Sequence, residues 1–325
     1  MPHYDIEADW HLLDTCNYRC DYCFFGADVL GSKLKSYATA EAWSSAFDRT
    51  GKTWLLHLTG GEPSIYPNFV ELCSALAKRH LLSINTNLTN ASIVRFARDV
   101  NPARVSFINA GFHPEERDRR GETTRFIEHA DLLRKHGFRI FCSVVATPLA
   151  LTTFDEAVER LSRARLYPVP KLFRGNFAGK SYPLAYTERE RTMFRSYAQR
   201  ARDFYHGEGD VWGEPPSIDV FNDDRYLTGL PTYGGRLCSA GERFVQIHPN
   251  GDVFRCGGTG LQGNLLQGTT VFQSGASVCQ TEHCYYFCEK YSQAETAPTG
   301  FQTKRSSVTN LFARRMSDWG FKRSP

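Results

Sequence analysis

Cysteines are the side chains in this sequence whose spacing could support the most chemistry. Ten occur in 325 residues: three lie within Cys16–Cys23, five lie within Cys238–Cys288, and Cys73 and Cys142 are isolated. The first residues carry neither the basic nor the apolar stretch of a signal peptide, so we expect a cytoplasmic protein. That compartment keeps thiols reduced, and clustered cysteines there indicate metal or iron–sulfur ligands rather than disulfides.

The first cysteine cluster has a spacing that suits a four-iron cluster. Cys16, Cys20 and Cys23 follow one another at intervals of four and three residues, directly after a predicted strand. Three thiolates would hold three irons and leave the fourth free to bind a substrate or cofactor. Zinc is the alternative, but it normally takes four protein ligands. A loop that leaves the C-terminal end of a barrel strand also lies where barrel active sites are built.

Strands and helices alternate along the part of the chain that would position this loop. Apolar runs predict six strands: Ala8–Leu13, Thr53–Leu58, Leu81–Asn85, Arg104–Ile108, Phe138–Val145 and Val169–Phe173. Helix starts with the spacing of a capping box occur at three pairs: Asn68 with Glu71, Thr153 with Glu156, and Thr187 with Glu190. This alternation predicts an α/β fold with a parallel sheet, and six units are too few for a closed eight-strand barrel. We expect a partial (β/α)6 TIM-type barrel over residues 1–206.

A second, smaller unit is predicted after the barrel. Residues 207–237 are rich in Gly, Pro and Asp and read as a linker. Asn250-Gly251 lies between the strand-like runs Phe244–His248 and Asp252–Arg255, which predicts a hairpin. This hairpin would begin a small C-terminal β-hairpin/helix iron–sulfur domain over residues 238–295.

The composition excludes several classes of function. Hydrophobic residues make up 41% and charged residues 23%, as in ordinary globular proteins, and no apolar run is long enough to span a membrane. The net charge of +4 is mild and its basic residues are interleaved with acids, so no nucleic-acid partner is expected. Residues 296–325 form a basic tail in which the pattern near Val308–Trp319 allows a short helix.

The motifs around the first cluster resemble those of radical S-adenosylmethionine (SAM) enzymes. That family carries Cys-x3-Cys-x2-Cys after its first strand, an aromatic residue before the last cysteine, and Gly-Gly-Glu-Pro after its second strand. Here the second motif is Thr59-Gly60-Gly61-Glu62-Pro63, and Leu88 replaces the glycine of the family's Thr-Asn-Gly at the end of the third strand. The candidate SAM-binding residues are Tyr22, Gly60, Gly61, Glu62, Pro63, Asn85, Asn87, Ser143 and Arg174.

The resemblance implies both a mechanism and a set of partners. A [4Fe–4S] cluster on Cys16, Cys20 and Cys23 would bind SAM through its open iron. Reductive cleavage would then give a 5′-deoxyadenosyl radical that abstracts hydrogen from a substrate carbon, the cofactor carrying the hard chemistry. The implied partners are a small-molecule or peptide substrate and a flavodoxin- or ferredoxin-type reductant.

The five C-terminal cysteines resemble the twitch or SPASM extensions of this family, which bind auxiliary clusters. The SPASM pattern has seven cysteines, so five favour one auxiliary [4Fe–4S] cluster. Cys238 and Cys256 are the first predicted ligands and Cys284 and Cys288 the next, with Cys279 able to replace either of the latter two. A zinc site and a purely structural iron–sulfur cluster are the alternatives.

Three further positions are candidates for catalysis. His113 and Glu115 follow the fourth strand, where they could orient a polar substrate, move a proton or make ordinary loop hydrogen bonds. Cys142 and Ser143 are neighbours on the fifth strand, so only one of them faces the barrel interior. An inward Cys142 could donate a hydrogen atom to a substrate radical, as an epimerase requires; otherwise it is a small buried residue. Arg174 could reach the SAM carboxylate or form a surface ion pair.

Three enzymatic functions fit these motifs. We expect oxidation or epimerisation of a small polar molecule such as a sugar, aminoglycoside or nucleoside. Modification of a ribosomally made peptide is the first alternative, although residues 1–7 are too short for a leader-binding domain. Sulfur insertion from an auxiliary cluster is the second. Motifs of this kind predict radical chemistry but not the substrate.

Overall fold

The computed structural model describes residues 3–23, 25–26, 37–207, 221–257, 259–281 and 290–296. Six strands of the barrel are β1 Ile6–Leu13, β2 Trp54–Gly60, β3 Leu81–Thr86, β4 Val105–Gly111, β5 Ile140–Val145 and β6 Pro168–Lys171. The α-helices are α1 Ala40–Arg49, α2 Phe69–Leu76, α3 Ser92–Asp99, α4 Pro114–Arg120, α5 Thr123–Lys135, α6 Pro148–Thr152, α7 Phe154–Ser162 and α8 Glu188–Gly207.

The remaining strands are short and most of them lie in the C-terminal part of the chain. They are β7 Gly175–Phe177, β8 Lys180–Tyr182, β9 Arg236–Cys238, β10 Phe244–Ile247, β11 Asp252–Cys256, β12 Thr259–Asn264, β13 Ser277–Val278 and β14 Ser292–Thr296. Short 3-10 helices occupy Pro63–Ile65, Pro102–Arg104 and Asp223–Tyr226. The suggested helix near Val308–Trp319 lies outside the described residues.

One nine-stranded sheet organises the molecule, in the order β12-β11-β10-β1-β2-β3-β4-β5-β6. Strands β1 to β6 are parallel neighbours in chain order, which confirms the α/β fold and the partial barrel. The predicted hairpin is β10 and β11, but it does not stand apart from the barrel. β10 pairs in parallel with the free edge of β1, so the C-terminal hairpin extends the barrel sheet.

The two faces of β1 differ in chemistry because successive side chains alternate between the faces. Trp10 points toward the helices, where its ring lies 4.7 Å from that of Trp43 and 5.0 Å from that of Phe47. Glu7, Asp9 and His11 therefore point to the opposite face, the barrel interior. None of the helices in the described ranges is long and apolar enough to cross a membrane.

Only one of the three predicted capping boxes forms. Thr187 and Glu190 exchange both expected bonds at the start of α8, at 2.7 Å and 3.3 Å. Asn68 has a left-handed backbone (φ +55°) and makes no capping bond, while Glu71 pairs with Arg95 at 2.7 Å instead. Thr153 precedes α7 but also makes no capping bond, because its hydroxyl donates to a carbonyl of the preceding helix.

A buried carboxylate joins the barrel to the last described segment. Glu7 is fully buried and accepts hydrogen bonds from His57 at 2.6 Å, from Lys290 at 2.5 Å and from the hydroxyl of Tyr291. His57 also bonds Ser83 on β3. Burial acts to raise the pKa of Glu7, but His57 and Lys290 outweigh it and lower that pKa to about 2.

We expect Glu7→Gln to destabilise the protein in a pH-dependent way. A carboxylate with a lowered folded-state pKa adds stability that is present above its unfolded value and is lost as the pH falls toward 2. The loss at neutral pH should be about 2–3 kcal/mol in the free energy of unfolding. Denaturant titrations between pH 2 and pH 7 measure it, and the difference between the two proteins should shrink below about pH 4.5. Asp131→Asn, which removes a carboxylate from an exposed ion pair with Lys135, is the control and should cost far less.

Candidate active site

The loop that carries the first three cysteines follows β1 at the C-terminal edge of the sheet. Cys16, Cys20 and Cys23 are all half-buried and none forms a disulfide. The backbone N–H of Cys23 donates to the carbonyl of Cys20 at 3.0 Å, and that of Tyr18 lies 3.3 Å from the Cys16 sulfur. The guanidinium of Arg19 donates to the carbonyl of Cys16 at 2.9 Å, so the loop is partly held by its own bonds.

Burial keeps the three thiols protonated when no metal group is bound. Burial raises the pKa of Cys16 and of Cys20 to about 12, and it raises that of Cys23. The other two thiols raise the pKa of Cys20 further, which places all three in one electrostatic neighbourhood. Metal coordination deprotonates such thiols outright. In the described ranges no three cysteine, histidine or acidic side chains are spaced for a single metal ion.

The two glycines after β2 allow a close approach to the cysteine loop. A Cβ on Gly60 (φ +107°) would lie 2.2 Å from the Leu13 carbonyl oxygen, and one on Gly61 would lie 2.0 Å from the Thr15 oxygen. The backbones are in contact there: Gly61 N–H donates to Leu13 at 2.7 Å and Glu62 N–H donates to Thr15 at 3.0 Å. Both positions therefore need glycine for packing, as well as for the SAM contact that the motif predicts.

The side chain of Glu62 is used inside the protein. It is buried and accepts from the hydroxyl of Ser64 at 2.5 Å, from the hydroxyl of Thr86 at 2.6 Å and from the backbone N–H of Asn87 at 2.7 Å. Burial raises its pKa in spite of these bonds. Its carboxylate thus fastens the β2 loop, where Pro63 starts a 3-10 helix, to the end of β3. Contact between this motif and SAM stays a prediction.

The residue that departs from the motif at the end of β3 has an unusual backbone conformation. Leu88, which stands in place of a glycine, adopts a left-handed conformation (φ +56°) that glycine favours. The Asn87 side chain donates to Asn17 in the cysteine loop at 2.8 Å and accepts from Thr89. Asn87 is thereby engaged in holding the loop. Asn85 is half-buried on β3, and a ribose contact by either residue stays a prediction.

Tyr22 and His113 are brought together as one unit. The phenol of Tyr22 and Nδ1 of His113 share a hydrogen bond of 2.7 Å. Burial, helped by the charge of Arg117, lowers the pKa of His113 to about 3, so the imidazole is neutral at physiological pH. Burial raises the pKa of Tyr22, and the nearby Cys20 and Glu115 raise it further. Oε2 of Glu115 has no hydrogen-bond partner among the described residues.

We expect His113→Leu to weaken SAM binding by about three- to tenfold, the effect of one net hydrogen bond. The reason is that Tyr22, predicted to lie near the SAM adenine, loses the bond that orients its ring. Equilibrium binding of SAM to the reconstituted protein measures the change. Tyr22→Phe removes this bond and also the contact of the phenol with Cys20, so it should lose at least as much, and the double variant should lose no more than Tyr22→Phe alone. Additive losses would mean that the two residues act separately.

Cys142 faces away from the barrel interior. Its neighbour Phe141 has its ring 5.7 Å from that of Phe107, which in turn lies 6.0 Å from the interior residue His57. Alternation then places Ser143 on the interior face and Cys142 on the helix side, where it is completely buried. The condition for Cys142 to donate hydrogen to a substrate radical, an inward thiol, is not met. That hypothesis is corrected: Cys142 is a core residue.

Arg174 follows β6 and is half-buried, with its guanidinium 5.2 Å from the centre of the Tyr226 ring. This contact holds it against the short 3-10 helix at Asp223–Tyr226, which lies inside the predicted linker. An interaction of Arg174 with the SAM carboxylate stays a prediction.

Three C-terminal cysteines converge on one small cavity. Cys238, Cys256 and Cys279 all line it, and the thiols of Cys279 and Cys256 raise the pKa of Cys238, which burial already raises. Arg255 is buried beside them and donates to the carbonyl oxygens of Ala240, Val278, Ser277 and Cys238. The structure thus brings Cys279 to the two first-choice ligands. Cys284 and Cys288 lie outside the described residues.

Sequence reasoning missed a polar group on the interior face. His11 and His248 stack with ring centres 5.8 Å apart and planes 7° from parallel. Beneath them Asp9 accepts from Thr59 at 2.7 Å and from Gln246 at 3.3 Å, and Gln246 contacts His248 at 3.4 Å. The alternation of Glu7, Asp9 and His11 along β1 was the available signal. The pairing of β1 with β10 was not readable from the sequence.

Comparison with known proteins agrees with this arrangement. The sequence profile of the radical SAM superfamily matches residues 10–165. A GTP 3′,8-cyclase from Brucella ovis is 30% identical over 254 residues, which cover 73% of this chain and 67% of the relative. The chain belongs to the radical SAM superfamily. Membership makes it an enzyme and implies SAM and a [4Fe–4S] cluster as cofactors, which the free thiols of Cys16, Cys20 and Cys23 fit.

Other similar proteins are more distant. An S-adenosylmethionine-dependent nucleotide dehydratase from a Thermoplasmatales archaeon is 25% identical over 143 residues, and the match spans only 50% of that relative. Solved structures of Streptococcus suis SuiB with SAM and of anSMEcpe with AdoMet each give a TM-score of 0.53 at 15% identity. Each match covers 81% of this chain, and 64% of SuiB or 75% of anSMEcpe. These structures share the fold of this radical SAM enzyme.

Proposed function

We propose that this radical SAM enzyme oxidises a small hydroxyl-bearing molecule, removing two hydrogens from a C–H and an O–H group. The observation that carries the proposal is the polar group on the barrel interior, formed by Asp9, His11, Thr59, Gln246 and His248. Thr59 directly precedes the Gly-Gly motif, so this group is adjacent in sequence and strand register to the predicted SAM site. Polar side chains converging in this way suit a polar substrate.

In such an oxidation the cofactors would transfer the electrons and the interior side chains would accept the proton. When bound, the SAM cluster supplies the electron that releases the 5′-deoxyadenosyl radical, and an auxiliary cluster would accept the electron that the substrate gives up. The substrate carbon would lose its hydrogen atom to the SAM-derived radical. The hydroxyl proton must then leave as the carbonyl forms, and His11 and His248 are half-buried imidazoles suited to accept it. Asp9 lies 3.5 Å from His11 and can stabilise its protonated form.

We propose that the C-terminal cysteines hold this auxiliary [4Fe–4S] cluster. Cys238, Cys256 and Cys279 would supply three ligands, and Cys284 or Cys288 the fourth. Four thiolates suit electron transfer rather than substrate binding. Because Cys142 faces the helices, the thiol hydrogen donor expected for an epimerisation is missing from its predicted place. Oxidation is therefore favoured over epimerisation, and over sulfur insertion, which needs an open iron.

Nucleosides and their phosphates are the first compounds to test. The relatives at 25% and 30% identity are named for reactions of GTP and of nucleotides. Reconstituted protein would be incubated without oxygen with SAM, dithionite and one probe at a time: GTP, UDP-glucose or 2-deoxystreptamine. We expect one probe to raise 5′-deoxyadenosine formation and to yield a product two hydrogens lighter. A product of unchanged mass carrying exchanged hydrogen would mean epimerisation, and stimulation by peptides alone would contradict the proposal.

Cys256→Ser tests the auxiliary site separately. The iron content should fall from about eight to about four per chain, with uncoupled SAM cleavage retained. Product formation from the active probe should fall at least 100-fold, because the substrate electron has no acceptor. Unchanged iron content would show that these cysteines do not bind a cluster.

A further inference from the structure

Arg117 carries a buried positive charge that contacts the cysteine loop through the Tyr18 ring and has no ionic partner in the described part of the chain. Arg117 is completely buried in α4, and no carboxylate in the described part of the chain forms an ion pair with it. Its Nε has no hydrogen-bond partner among the described residues. Burial lowers its pKa, but a guanidinium keeps its proton in proteins, so the positive charge persists. An unpaired buried charge is costly, so its presence needs a physical reason.

The guanidinium connects the loops that form the SAM site. It donates to the carbonyl oxygens of Asn87 at 2.9 Å and Gly111 at 3.1 Å, which follow β3 and end β4, and to that of Glu122 at 3.4 Å. Its carbon lies 5.4 Å from the centre of the Tyr18 ring, between Cys16 and Cys20 in sequence. Two more rings surround it, Phe126 at 4.3 Å and Phe112 at 5.3 Å.

These contacts are neutral or π-electron contacts, and they leave the charge itself uncompensated. The nearest acids act at longer range: Glu122 is engaged with the hydroxyl of Tyr18 at 2.9 Å, and Glu62 with the end of β3. A [4Fe–4S] cluster with three thiolates is anionic, and each added electron makes it more so. In a site of low dielectric a nearby fixed cation favours the more negative state.

We propose that Arg117 is a positioning residue and the counter-charge of the cluster on Cys16, Cys20 and Cys23, and that it makes this cluster easier to reduce. The guanidinium holds the cysteine loop through the Tyr18 ring and provides positive charge from the protein side. This role requires no contact between Arg117 and SAM or substrate. The assignment concerns the cluster common to the superfamily and does not depend on which substrate is oxidised.

The test compares the reduction potential of this cluster in variants of the reconstituted protein. Potentials would be read by electron paramagnetic resonance during dithionite titration, in protein that also carries Cys256→Ser so that one cluster contributes. Arg117→Met should lower the potential and slow uncoupled 5′-deoxyadenosine formation about tenfold. Arg117→Lys should restore most of the potential because the charge returns. Arg98→Met, an equal loss of charge at an exposed helix position, is the control and should leave the potential unchanged.

A second substitution, which removes a negative charge, keeps the proposal testable if the Arg117→Met protein fails to assemble its cluster. Glu122→Gln removes a negative charge beside Tyr18 and keeps Arg117, so the potential should rise. An unchanged potential in Arg117→Met with full iron content would overturn the counter-charge role. A fall in Glu122→Gln, or equal losses in the Lys and Met variants, would also overturn it, because shape rather than charge would then be responsible.

Discussion

Replacing Cys16, Cys20 and Cys23 together by Ala should abolish SAM cleavage while leaving the fold intact. All three side chains are half-buried in a loop at the edge of the sheet, so their removal creates little cavity in the core. Formation of 5′-deoxyadenosine and methionine should fall by at least 100-fold, because no other described group can place an open iron beside the Gly-Gly motif. The iron content should fall from about eight to about four per chain, the remainder belonging to the C-terminal site.

The control for this variant is its circular-dichroism thermal transition, which should match that of the unchanged protein when both are free of iron. Residual SAM cleavage above background would contradict the assignment of the three ligands. Wild-type protein with about four irons, falling to nearly none in the variant, would remove the auxiliary cluster from the proposal. Oxidation would then lack its internal acceptor, and a redox-neutral reaction would be favoured.

The sequence was most informative where local pattern determines structure. The six parallel strands follow from the alternation of apolar runs with helices, and their order along the sheet is the order in the chain. Leu88, the departure from the motif, takes a left-handed backbone conformation that a glycine would favour. The chain therefore adopts a left-handed conformation at this position beside the cysteine loop even though the residue is not glycine.

Long-range pairing was not predictable in the same way. Nothing near β1 in the sequence indicates that β10 will pair with its free edge, so the stacking of His11 on His248 could not be foreseen. The same holds for Glu7, whose partners Lys290 and Tyr291 lie more than 280 residues away. Cys142 shows a further limit: two adjacent residues compete for the interior face, and only the register decides.

Gly61→Ala should have the second-largest effect, although it adds only one methyl group. That Cβ would meet the Thr15 carbonyl oxygen at 2.0 Å and the Asp14 carbonyl oxygen at 2.7 Å, and both are backbone atoms that cannot rotate away. The cysteine loop must therefore move, which breaks the Gly61–Leu13 and Glu62–Thr15 hydrogen bonds. We expect the loop cluster to assemble poorly, with its share of the iron at least halved and SAM cleavage reduced 100-fold or more.

Gly275→Ala is the matched control, since a Cβ there meets nothing within 4 Å and the backbone has no positive φ. It should leave iron content and SAM cleavage unchanged. The comparison separates two uses of the Gly-Gly motif. If the motif only contacts SAM, a methyl group would weaken SAM binding without loss of iron. If the motif also contacts the cysteine loop, a methyl group would cause loss of iron. Full iron content with weak SAM binding in Gly61→Ala would mean that the motif serves the cofactor alone. Loss of iron would mean that the same two glycines also build the cluster loop.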